Sequence, residues 1–98
     1  TGTELRTRIT GTNNIPTTGV SAVAVTITAT DTQNPDIGAG YLTAHPCGTR
    51  PTTSNLNFTT NQTIANTVIA PLSPNGDLCI YVYGTAHVLA DISGWFPS

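Results

Sequence analysis

The side chains with the most chemistry to offer are His45 and Cys47, two positions apart in "AHPCGTRP", and Cys79 in "DLCIYVYG". A thiolate nucleophile needs an imidazole within hydrogen-bond reach and a third group to orient it. In an extended strand, residues two apart share a face with Cβ atoms about 7 Å apart, which makes His45 a neighbour of Cys47 and not its base. His87 and Asp91 share a face in the same way and read as ordinary half-exposed strand residues. No GxSxG or HExxH pattern occurs, so no catalytic residue is assigned and the chain is read as a non-enzyme. The spacings C-x31-C and H-x41-H fit none of the usual structural zinc sites. Asp31, Asn34 and Asp36 in "DTQNPDIG" offer oxygens of the kind calcium takes, but the same residue types build turns, and the turn is preferred. No metal and no cofactor is expected.

The simplest fate of the two cysteines is to pair with each other. Closing the loop from Cys47 to Cys79 would stabilise the fold by about 3–4 kcal/mol in the chain-entropy model. The alternative, a reactive free thiol, would need Arg50 or His45 beside it. Among the aromatic residues, Tyr41, Tyr81, Tyr83, Trp95 and Phe96 are candidates for stacking on a sugar, with Asn55 and Asn57 as hydrogen-bonding partners. Tyr81 and Tyr83 fall on one face at i, i+2. Cys79 shares that face and cysteine is usually buried, so core rings are preferred to an exposed platform. Asn57-Phe58-Thr59 and Asn61-Gln62-Thr63 match the glycosylation sequon, a pattern that arises easily in a chain rich in Asn and Thr.

Composition narrows the partners. Only 8% of the 98 residues are charged, against a typical ~25%, and the basic residues are Arg6, Arg8 and Arg50 with no lysine. A cationic footprint for nucleic acid cannot be built from these. The net charge of −2 leaves little repulsion between copies. No apolar run approaches the ~18 residues of a membrane span; "VSAVAVTI" is strand-length. The chain starts at Thr1 and contains no Met, which leads to the expectation of a processed chain or an excised module.

The elements that must position these residues are strands. Seven runs alternate apolar with small polar residues: Glu4–Gly11, Val20–Asp31, Gly40–Pro46, Ser54–Thr60, Thr63–Leu72, Asp77–Tyr83 and His87–Phe96. Period two, Thr/Val/Ile enrichment and regular turn clusters predict a single all-β domain over residues 1–98. The expected architecture is a two-sheet antiparallel β-sandwich of immunoglobulin-like size. Alternation sends Leu5 and Ile9 inward and Glu4, Arg6, Arg8 and Thr10 to solvent. It also sets Val23, Val25 and Ile27 against Ala22, Ala24, Thr26 and Thr28, and Leu78, Ile80 and Val82 against Cys79, Tyr81 and Tyr83. Asn75-Gly76 between two such runs predicts a hairpin. An open sandwich keeps its edges, and with no lysine to block them strand addition between copies is expected.

In order, "GVSAV", "GYLTAHPCG", "SNLNF", "LCIYV" and the terminal "DISGWF" resemble a module that recurs, often in tandem, in secreted and cell-surface proteins of actinobacteria and related high-GC bacteria. The resemblance covers nearly the whole chain. It implies export and a structural or binding role, with Cys47 and Cys79 matching the two cysteines of the family. The expected function is therefore a secreted, non-catalytic structural or adhesive building block of the cell surface or of an extracellular fibre, self-associating as a homopolymer or homo-oligomer. The alternative is a carbohydrate-binding module for cell-wall or extracellular polysaccharide.

Overall fold

The computed structural model describes residues 2–12, 14–35, 38–48 and 54–98. Seven strands follow one another: β1 (Gly2–Arg8), β2 (Val20–Gln33), β3 (Gly40–Pro46), β4 (Leu56–Phe58), β5 (Ile64–Pro71), β6 (Asp77–Tyr83) and β7 (Thr85–Pro97). They form two antiparallel sheets, one ordered β1-β6-β3-β4 and the other β5-β2-β7. This is the two-sheet sandwich that the alternation predicts. The β-branched face of β2 drives it: Val23, Val25 and Ile27 are fully buried together with Ala29. Leu42, Leu56, Phe58, Leu78, Ile80 and Val82 close over them from the other sheet. Among the described residues no helix is long and apolar enough to cross a membrane.

The hairpin expected at Asn75-Gly76 is not formed. Its two flanking strands belong to different sheets, β5 pairing with β2 and β6 with β1 and β3. The turn itself closes locally, with the Gly76 N–H donating to the Ser73 carbonyl at 2.8 Å and the Ser73 N–H to the Asp77 carbonyl at 3.0 Å. Turn chemistry fixes how the chain bends but not whether the arms stay together. Here the arms diverge because Ala70 and Leu78 are both in the core, facing it from opposite layers. The next connection also changes sheet, through the single residue Gly84 at φ 101°.

The two flanks of the sandwich differ. On the β4/β5 flank the layers are tied: the Asn66 side chain donates to the Asn55 carbonyl at 2.7 Å. Nearby, the Thr32 hydroxyl reaches the Thr59 and Gln62 carbonyls at 2.7 and 2.6 Å. On the β1/β7 flank the layers stay apart. All seven residues of β1 are exposed, including Leu5, whose ladder partner Ile80 is buried. Leu5 therefore faces inward as alternation requires, yet it remains 41% exposed, beside a hollow it shares with Thr85 and Ala86 of β7. Thr10, expected at the surface, is buried: the strand ends at Arg8, and Ile9 and Thr10 turn beneath the Gly76 carbonyl, to which both of their N–H groups donate.

Candidate functional site

Cys47 and Cys79 are joined in a disulfide with Cα atoms 4.9 Å apart. It links the end of β3 to the middle of β6 on the outer face of the four-stranded sheet, and it settles the fate of the thiols as a staple. His45, expected half-exposed, is 1% exposed. Its Nδ1 lies 2.8 Å from the Pro46 carbonyl oxygen, which can only accept, so Nδ1 donates. Its Nε2 lies 3.1 Å from Oε1 and 3.3 Å from Oε2 of Glu4 on β1. Both ring nitrogens are thus spent on structure, and the imidazole ties β1 to β3 across β6. Arg6 ties β1 to β6 in the same manner, its guanidinium 2.7 Å from Asp77 Oδ2. Arg50 lies outside the described residues.

The sugar-stacking candidates separate into three groups. Tyr41, Tyr81 and Tyr83 come together on the outer face, with Tyr41 5.2 Å from Tyr83 and 6.0 Å from Tyr81 between ring centroids. They are half-buried and lie outside the core, so the preference for core rings is corrected. The reason is that the face they share with Cys79 is the outer one, and cysteine is buried there by its disulfide neighbourhood, not by the sandwich interior. Gly2 lets Tyr81 lie flat at the sheet end, since a Cβ at that glycine would overlap the ring. Asn57 is exposed and opposite Tyr41 in the ladder, at the edge of this cluster. Asn55 is structural instead: its Oδ1 accepts from the Ala44 N–H at 2.7 Å. Trp95 sits on β7 in the other sheet, far from the tyrosines in the ladder, and Phe96 is beside it.

Asp31 takes φ 51° at an irregularity where β2 pairs with β7 between Thr30 and Gln33. That is the job of a bulge residue. The Asn34 N–H donates to the Thr60 hydroxyl at 2.9 Å, while Asp36 lies outside the described residues. Among the described residues no group of three or more His, Cys, Asp or Glu is placed to hold a metal ion. Asn57 and Asn61 of the two sequons are both exposed.

The feature that sequence reasoning missed is the open flank. A cleft of about 420 Å³ runs between the layers there, lined by Thr7 and Ile9 on one side, Ala90 and Ile92 on the other, and Val25, Leu78 and Ile80 at its floor. Smaller hollows continue it past Leu5 and Ala86 at one end and past Ile15 and Trp95 at the other. The signal was present in composition: two of the three inward positions of β1 are threonines, Thr3 and Thr7, with Leu5 the one large apolar side chain among them. Comparison with protein-family models, with curated proteins and with solved structures finds no match to this chain.

Proposed function

We propose that the chain is a secreted, non-catalytic building block that self-associates at the cell surface or in an extracellular fibre. The observation that carries this reading is the open β1/β7 flank, where β1 is exposed throughout and the inward face of β7 is only partly covered beside an apolar cleft. Such a flank is costly to leave in water and is completed by an added strand. Low net charge, absence of lysine and the exposed Ile69, Leu89, Trp95 and Phe96 support it. Export is supported by the disulfide, which persists in oxidising compartments, and by the resemblance of the motifs to a tandem module of exported proteins. With no lysine there is no Lys–Asn isopeptide bond available, so an assembly is held by packing and strand pairing. Sedimentation across a concentration series, with electron microscopy of concentrated material, tests the reading: larger species are expected, and monomers throughout without filaments would overturn it.

A second reading, polysaccharide binding, is favoured by one observation, the outer-face cluster of Tyr41, Tyr81 and Tyr83 beside Asn57. A glycan array is the test. Binding that disappears in Tyr81→Ala while the melting temperature holds supports a platform, and an array without hits removes it.

A further inference from the structure

We infer that the exposed edge of β7 pairs antiparallel with the same edge of a second copy, across a two-fold axis that passes through Leu89. The inference rests on the self-association reading above and names its surface. Strand β7 is hydrogen-bonded to β2 on one side; among the described residues no strand pairs with its other side. Its register with β2 is regular from His87 to Ile92, and an extra residue at Ser93 then breaks it, Ile92 pairing with Val25 but Gly94 with Ala24. The regular stretch is the part able to template another strand.

Its sequence complements itself. In an antiparallel pair centred on Leu89, residue i meets residue 178 − i of the other copy, and every side chain keeps its face because the sum is even. On the outer face Leu89 meets Leu89, and His87 on each copy meets Asp91 on the other, so an imidazole N–H donates to a carboxylate on both sides of the axis. On the inner face Val88 meets Ala90, and Ala86 meets Ile92. No like charges oppose each other, and Leu89, 56% exposed in the single chain, gains an apolar partner. Both His87 and Asp91 are exposed and available. Isologous contacts of this kind are the commonest way two identical chains associate.

The test uses the intact, oxidised chain. Leu89→Cys is expected to form a covalent dimer on mild oxidation, with peptide mapping showing the 89–89 bond and the Cys47–Cys79 bond preserved. His87→Cys and Asp91→Cys, each about 13 Å from its own copy across the axis, are expected to cross-link when mixed and not alone. His87→Asp, which sets two like-charged pairs across the axis, is expected to weaken association about tenfold, and His87→Asp with Asp91→His to restore it. Association that persists without these cross-links, or that ignores the charge pair, overturns the inference while leaving the building-block reading in place. A chain monomeric at every concentration overturns both.

Discussion

His45 shows how a residue with catalytic potential is committed to structure. It is buried, and both nitrogens are engaged, one by the Pro46 carbonyl and one by Glu4. In His45→Ala the carbonyl and the carboxylate lose their partner and a cavity opens, so a loss of about 2–4 kcal/mol is expected from the urea midpoint. Glu4→Gln should cost less than about 1 kcal/mol, because the Glu4 side chain is 41% exposed and water can replace part of the contact. If His45→Ala left the midpoint unchanged, the cross-strand tie would contribute nothing. Period-two alternation tells which side of a strand His45 takes, but not what covers that side. Its partner stands 41 positions away on a strand two ladders over, and only the register of three strands brings the two together. The same limit explains the tyrosines, whose common face was legible while its identity as the outer face was not.

At the level of elements, corners and staples hold the two layers in relation. Strands β6 and β7 lie in different sheets and are separated by Gly84 alone, at φ 101°. A Cβ there would stand 3.0 Å from the Gln33 carbonyl oxygen and 3.1 Å from Pro35 Cδ. Gly84→Ala is expected to lower stability by about 1–3 kcal/mol, combining the left-handed backbone with the close carbonyl, and a thermal melt checks it. Replacing both Cys47 and Cys79 by Ser should cost about 3–4 kcal/mol in urea, the entropy regained by opening that loop in the unfolded chain. A smaller loss would mean that the ladder between β3 and β6 already restricts the unfolded ensemble. All seven strands could be placed from alternation, most within two residues of their ends, because Val, Ile and Thr at period two leave little choice. Pairing could not be read from Asn75-Gly76, since a local turn carries no information about which layer the next apolar face will join.

For the whole molecule the proposed self-association turns on the unequal flanks. Ile69 and Leu89 are both exposed, 58% and 56%, and both lie on the outer face of the three-stranded sheet, one on each of its edges. The β5 edge belongs to the flank that Asn66 ties to the Asn55 carbonyl, whereas the β7 edge borders the open cleft. Lysine is what natural edges use to refuse a partner, and the wild-type chain has none. Ile69→Lys and Leu89→Lys therefore form a matched pair: each raises the net charge by one unit, removes one exposed apolar side chain, and should alter stability by less than about 0.5 kcal/mol. Any difference in association then reports position and not charge. Leu89→Lys puts two ammonium groups opposite each other on the axis and should weaken self-association at least about tenfold. Ile69→Lys should leave it within about threefold of the parent chain. Sedimentation equilibrium on the three proteins measures this directly. Equal weakening in both variants would mean that the sheet's broad outer face, and not the β7 edge, is where copies meet.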